Sequence, residues 1–289
     1  MQKDSANFKL LSLKEKPVLI TGCSSGIGLA VARALKQRGY PVYTTARRED
    51  DIARLKAEGF PCEYLDYADT ESIHTAFEAV MAQTENKLYG LFNNGAYGQP
   101  GAVEDLSRLA LEEQFQANVF GWHELTCLAL PIMRVQREGR IIQNSSVLGL
   151  VALKYRGAYN ASKFAIEGLT DTLRIELAGT GVYCSLIEPG PIRTKFRENA
   201  LAKFNEHILM ADSPHVQAYK NTKARLENQD EDKEVPFTLP AEAVVPKVVH
   251  ALESERPKAR YPVTFPTYFF GVLKRILPTL WLDKVLSRV

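Results

Sequence analysis

Short runs of β-branched and aromatic residues recur along the chain, and longer stretches with apolar positions every three or four residues separate them. The short runs predict strands at Val18–Thr21, Pro41–Thr45, Cys62–Asp66, Leu88–Phe92, Arg140–Asn144, Val182–Glu188 and Arg260–Phe265. The stretches between them predict helices near 26–38, 49–57, 70–85, 108–137, 157–179 and 241–253. Alternation of this kind predicts an α/β fold, a parallel sheet with helices on both faces. No internal repeat or low-complexity segment interrupts it.

Two segments break the rhythm. Residues 193–238 are polar and highly charged, end in Asn228–Glu234 and carry no strand signal, so they predict either a substrate loop or lid, or an extra helical pair on the surface. The tail from 267 to 289 is apolar and aromatic, with Tyr268, Phe269, Phe270, Val272, Leu273, Ile276, Leu277, Leu280 and Trp281 interleaved with Lys274, Arg275 and Lys284. Such a face packs within the protein or its oligomer, covers the substrate cleft, or lies on a membrane surface.

The 289 residues suit one large α/β domain, expected over 16–289, or two smaller ones. Lys9, Lys14, Glu15 and Lys16 interrupt any apolar core before Pro17, so residues 1–15 read as a solvated arm rather than a signal peptide. No apolar run reaches the ~20 residues of a membrane-spanning helix, and a cytoplasmic protein is expected. A net charge of +2 gives no argument for nucleic acid. Cys23, Cys62, Cys127 and Cys184 lie far apart, and the five histidines form no ligand cluster, so neither a disulfide framework nor a metal site is expected.

The first strand runs into Thr21-Gly22-Cys23-Ser24-Ser25-Gly26-Ile27-Gly28, where a helix begins. Glycines between strand and helix let backbone approach a pyrophosphate, and the helix N-terminus offers it free N–H groups and a positive dipole end. The second strand ends at Ala46 with Arg47 and Arg48 following. An NAD site needs a carboxylate at this tip for the ribose 2′-hydroxyl; arginine suits the 2′-phosphate of NADP instead.

Tyr159 and Lys163 stand at i and i+4 on one helix face. A nearby cation is expected to lower the tyrosine pKa from ~10 toward working pH, making Tyr159 a general acid for a carbonyl or a base for an alcohol. The strand Arg140–Asn144 ends in Ser145 and Ser146. Strand ends are where parallel α/β sheets place ligands, so Ser146 is a candidate to hold a reacting oxygen beside Tyr159.

Together the glycine turn at 21–28, Asp66, Asn93-Asn94, Asn118, Ser146, Tyr159-x-x-x-Lys163 and Pro189-Gly190-Pro191 resemble the short-chain dehydrogenase/reductase family, its compact branch, over nearly the whole chain. Stretches such as 88–94, 185–194 and 260–264 resemble bacterial NADP-dependent aldehyde reductases related to 17β-hydroxysteroid and retinol dehydrogenases. The resemblance implies a Rossmann-type doubly wound sheet of about seven strands. It implies a catalytic Ser146, Tyr159 and Lys163, with Asn118 holding a water in a relay to Lys163. For NADP(H) it implies the turn Gly22, Ser24, Ser25, Gly26, Ile27 and Gly28, with Arg47, Asp66 at the adenine, Asn94 and Gly95 near the ribose, Lys163 at the nicotinamide ribose, and Ile192 and Thr194 at the carboxamide. It further implies a small carbonyl or alcohol substrate and a dimer or tetramer. The family's usual Ala-Gly after Asn93-Asn94 stands here as Gly95-Ala96, and a positive φ at Ala96 would be costly. A non-catalytic NADP(H)-binding module on the same fold is the competing class, and a membrane-surface dehydrogenase of lipid-like alcohols a third reading.

Overall fold

The computed structural model describes residues 13–227 and 235–289. The expected arm at 1–15 therefore lies mostly outside the described residues, as does 228–234. Seven strands, β1 (Val18–Ile20), β2 (Val42–Ala46), β3 (Cys62–Tyr64), β4 (Gly90–Asn93), β5 (Gly139–Asn144), β6 (Val182–Glu188) and β7 (Arg260–Pro262), form one sheet in the order β3-β2-β1-β4-β5-β6-β7, parallel throughout. Chain order reverses at β1, which pairs Val18 with Val42 on one side and with Gly90 on the other. The crevice beyond the carboxyl ends of β1 and β4 is where an open α/β sheet receives its ligand.

The central strands are buried along their whole length because helices cover both faces. On one face α1 (Gly26–Gln37), α2 (Glu49–Ala57) and α9 (Val245–Glu253) supply Val31, Leu35, Leu55, Val248 and Leu252 to a core shared with Val18 and Ile20. On the other, α3 (Thr70–Gln83), α5 (Gly121–Gln136) and α6 (Gly157–Glu176) supply Ile73, Phe77, Trp122, Leu125, Met133 and Ile166. Side-chain caps fix where helices start: Asp69 accepts from the Glu71 and Ser72 N–H groups before α3, and Ser107 from Ala110 N–H at 3.1 Å before α4 (Arg108–Phe115).

Two expectations need correction, and the structure gives a third segment its shape. The helix expected over 108–137 is broken: between α4 and α5 lies a π-helical segment, Gln116–Phe120, and Asn118 sits in it. Single π turns of this kind concentrate at functional sites because they re-aim one side chain. The last strand stops at Pro262, not Phe265, because Thr264 turns extended and begins α10 (Phe265–Ile276), which α11 (Thr279–Leu286) follows. The excursion after residue 193 contains α7 (Phe196–His207) and α8 (Val216–Glu227), packed through Phe204, Ile208 and Tyr219 against Ala102 and Tyr155. The segment is thus a helical pair on the domain's surface, in a position the substrate-loop reading also allows.

Candidate active site

The glycine turn is locked by close backbone approaches. Gly22 has φ +66°, and a Cβ there would stand 2.6 Å from the Gly95 Cα; a Cβ at Gly28 would stand 2.4 Å from the Gly22 carbonyl oxygen. Gly26 has φ +57°, and a side chain there would strike the Thr194 methyl at 2.8 Å. Only glycine meets all three demands. Ser25 is extended and makes no side-chain cap on α1, so the first helical N–H groups remain for an anion. The Ser24 carbonyl is taken by Arg54 at 2.6 Å, which ties the turn to α2, and Ile27 packs into the core behind it. The cradle fits a pyrophosphate.

Thr21 joins this turn to β4: its hydroxyl accepts from the Asn94 N–H at 2.9 Å and from the Tyr67 hydroxyl at 2.8 Å. Asn94, expected near the adenosine ribose, donates its amide to the Thr21 and Gly22 carbonyls at 3.0 and 3.2 Å, and its oxygen accepts from Asn144. It braces the turn. The strain expected at Ala96 is absent, since Ala96 does not have a positive φ. The close approach is made one position earlier, by Gly95, whose carbonyl accepts from the Trp122 indole at 2.8 Å. At the tip of β2 the Arg47 side chain is 60% exposed, with its guanidinium 3.7 Å from the Asp66 carboxylate, and Asp66 also accepts from the Ala68 N–H.

Ser146 follows β5 in extended backbone; its hydroxyl accepts from Leu148 N–H at 3.1 Å and lies close enough to the Tyr159 phenol to pull its pKa down. Tyr159 lies in the first turn of α6, with the Phe196 ring edge-on at 5.3 Å. Burial pushes its pKa up to about 12, against smaller downward pulls from Ser146 and Arg156. The expected lowering by Lys163 is therefore overturned in this geometry. Lys163 is 1% exposed; its ammonium donates to the Asn144 carbonyl at 2.8 Å and sits 4.2 Å from the centre of the Trp122 ring, while the Tyr159 ring centre is 5.6 Å away. Burial pushes Lys163 down to about 7, and the charge of Glu167 opposes it. Desolvation outweighs proximity for both groups. Tyr159 thus holds its proton at neutral pH, as a donor must.

Behind Lys163 lies a partly buried ionic cluster: Arg260 meets the buried Glu167 at 3.0 Å and Glu188 at 3.2 Å, and the more open Asp171 at 2.6 Å. One guanidinium serves three carboxylates, and burial pushes Glu188 up to about 8 despite it. Asn118 is fully buried; its amide donates to the Tyr97 carbonyl at 2.9 Å and to the Ser162 hydroxyl at 3.2 Å, and its oxygen accepts from Tyr97 N–H. Ile192 bridges to Leu239, and Thr194 closes over Gly26. The structure therefore gathers Ser146, Tyr159 and Lys163 at one point, with Asn118 beneath them and the glycine turn and Thr194 beside them. Arg47 and Asp66 stand apart at the β2–β3 edge.

Sequence reasoning missed Trp122, Tyr67, Phe196, Arg156 and Glu167. Trp122 and Glu167 lie four residues beyond Asn118 and Lys163, a spacing that marks the same helix face; Tyr67 and Phe196 carry no such signal. Among the described residues, one trio has metal-ligand spacing, Glu113, Glu206 and His207. Lys203 already bridges its two carboxylates at 2.7 and 2.9 Å.

Comparison with known proteins agrees with this geometry. The family model for short chain dehydrogenases matches residues 16–204. An uncharacterized oxidoreductase, YbbO, of Escherichia coli (strain K12) is 45% identical over 94% of this chain and 94% of its own length. The NADPH-dependent 3-dehydrocapnine reductase of Ornithobacterium rhinotracheale is 31% identical over 92% and 94%. A short chain dehydrogenase/reductase from Burkholderia phymatum, solved in complex with NAD, superposes with a TM-score of 0.74 at 26% identity, covering 91% of this chain and 93% of that one. With the family model, these relatives and the fold in agreement, the chain belongs to the short-chain dehydrogenase family, a family of oxidoreductases that bind a nicotinamide cofactor.

Proposed function

We propose that this oxidoreductase is a single-domain, NADP(H)-dependent reductase of apolar aldehydes and ketones, able to run in reverse on the alcohols. The observation that carries the reading is the meeting of Ser146, Tyr159 and Lys163 with the Tyr159 phenol kept protonated. Ser146 holds the carbonyl oxygen by its hydroxyl, Tyr159 delivers a proton to that oxygen, and Lys163 sustains the charge left on the phenolate. The bound nicotinamide supplies the hydride. The glycine turn holds the pyrophosphate, Thr194 and Ile192 the carboxamide, Asp66 the adenine, and the buried Asn118 side chain anchors the Tyr97 backbone and Ser162 beside Lys163. NADP is favoured over NAD because Ala46 brings no carboxylate to the β2 tip and Arg47 brings a largely exposed guanidinium; one relative is named as NADPH-dependent. A cytoplasmic homo-oligomer, dimer or tetramer, completes the reading.

The test is oxidation of NADPH and NADH side by side against a panel of aldehydes and ketones. Rapid NADPH-dependent turnover of apolar carbonyls is expected. Faster turnover with NADH overturns the cofactor choice, and tight cofactor binding without turnover of any carbonyl favours the non-catalytic module.

A second reading, contact with a membrane surface, is favoured by one observation. Among the described residues no helix is long and apolar enough to cross a membrane. On α10, however, Phe265, Tyr268, Phe269, Val272 and Ile276 form one stripe that is exposed, opposite the buried Thr267, and Leu280 and Trp281 of α11 are exposed as well. Arg275 and Lys284 flank them. An aromatic stripe edged by cations suits an anionic interface. Flotation with vesicles of anionic lipid should carry the protein up, and its absence from the floated fraction removes this reading.

A further inference from the structure

The segment after β4 passes beside Tyr159 and is clamped on both sides of Gly98. Tyr97 N–H donates to the Asn118 side-chain oxygen at 3.2 Å, and the Tyr97 carbonyl accepts from the amides of Asn118 and Gln114, both at 2.9 Å. Gln99 N–H donates to the Gln114 side-chain oxygen at 2.7 Å. Gly98, buried between these two fixed residues, has no positive φ, so its backbone alone would accept a side chain. Space is what forbids one. A Cβ there would stand 2.6 Å from Cζ of Phe196 and 3.3 Å from Cδ2 of Tyr159. The notch that glycine leaves is filled by the Phe196 ring.

Phe196 opens α7, yet it is held from the frame. Its N–H donates to the Thr194 hydroxyl at 3.3 Å, and Thr194 closes over Gly26 of the glycine turn. The ring meets that of Tyr159 edge-on, with centroids 5.3 Å apart and planes at 64°, a favoured arrangement of two aromatic rings. It is therefore caught between hydrogen-bonded backbone and the flank of the phenol ring. A rotamer well is wide enough for swings of ~10° about χ1, which carry a tyrosine oxygen through ~1 Å. Misplacement of that size costs ~100-fold in rate. A ring wedged at the Cδ2 edge stops the swing on its side.

We propose that Phe196 is a positioning residue for proton transfer: seated in the Gly98 notch, its ring braces Tyr159 and so aims the phenol at the substrate oxygen. The role rests on the reading of Tyr159 as the proton donor of a reductase and adds the group that aims it.

The test measures reduction of benzaldehyde at saturating NADPH in the wild type, Phe196→Ala, Phe196→Leu, Gly98→Ala and the double variant Gly98→Ala/Phe196→Leu. Phe196→Ala is expected to lower kcat ~10- to 100-fold with KM within ~3-fold of the wild type, and Phe196→Leu, which keeps the notch filled, to lose far less. Gly98→Ala drives its methyl into Cζ of Phe196 and should lower kcat ~10-fold. Leucine has no atom at that place, so the double variant should match Phe196→Leu alone, a rescue that independent packing defects would not give. Losses that add in the double variant overturn the proposal. So does a rise in KM with kcat intact, which makes Phe196 a wall of the substrate cleft. NMR of the NADPH-bound protein carrying ring-labelled ¹³C-tyrosine, with Tyr159→Phe to assign the signal, separates the brace from the reductase reading. The Phe196 ring current should displace the Tyr159 ring signals, Phe196→Ala should return them toward those of an open tyrosine, and Gly98→Ala should move them again. These shifts support the brace even where no carbonyl is reduced, and a Tyr159 signal unmoved in both variants overturns it.

Discussion

From Gly22 to Lys163, the cofactor side of the site is built from parts that hold each other. Gly22 and Gly28 press backbone on backbone while Gly26 meets the Thr194 methyl, Thr21, Tyr67, Asn93 and Asn94 share one hydrogen-bond network, and Lys163 is sealed between Trp122 and the end of β5. The helical pair α7 and α8, the candidate cover over the substrate, rests on the frame through a much smaller aromatic group around Tyr219. A buried, cross-braced frame fixes the geometry of proton transfer to the fraction of an ångström that chemistry needs. A lightly seated helical pair is free to differ in shape and charge without disturbing it. If that pair covers the substrate, chemistry and selectivity are carried by regions of different packing.

That division predicts a ranking of effects. Tyr159→Phe should lower kcat by ~10³-fold or more while NADPH affinity, read by fluorescence titration, is nearly kept; comparable turnover would remove Tyr159 from the chemistry. Gly28→Val places a side chain where the Gly22 carbonyl already lies within 2.4 Å, so thermal melts should show a loss of ~3 kcal/mol or more together with failure to bind cofactor. Glu188→Gln tests strain inside the frame. Burial raises the Glu188 pKa from 4.5 to about 8, so the folded chain holds a proton there that the unfolded chain releases, and stability falls as pH rises from 4.5 toward 8. The glutamine variant should equal the wild type near pH 5 and exceed it by ~2 kcal/mol, a gain of about 4–8 °C, at pH 8.5. On the other side, Tyr219→Phe loses only the bonds of its hydroxyl to Asp105 and Ala102. It should raise the aldehyde KM several-fold, about 1 kcal/mol, without changing NADPH affinity; an equal loss of both would dissolve the distinction between the two sides.

The rigid side was also the legible one. Gly22, Gly26, Gly28, Tyr159 and Lys163 announce themselves by spacing along one turn or one helix, where local geometry dictates neighbours, and the alternation of strand and helix predicts the parallel sheet. What the sequence hides comes from distant pieces meeting. Asn94 reads as a ligand residue, yet Thr21, Gly22 and Asn144 absorb its polar atoms. The phenol shift of Tyr159 reverses sign because burial, which no spacing displays, exceeds the pull of a cation whose hydrogen bond goes to Asn144. In the tail, the sequence shows an apolar, aromatic composition but not the helices α10 and α11, nor which of their faces stays exposed.

The chain has two tryptophans, and they divide the molecule between them. Trp122 is fully buried with the Lys163 ammonium 4.2 Å from its ring centre, whereas Trp281 is 65% exposed on the tail. The protein therefore carries two built-in optical probes of different colour. Blue emission from Trp122 reports the charge beside the reacting centre, and red emission from Trp281 reports what the tail touches. With Trp281→Phe, emission from Trp122 alone should change with pH as Lys163 loses its proton near 7; in the intact protein, any blue shift added by vesicles belongs to Trp281.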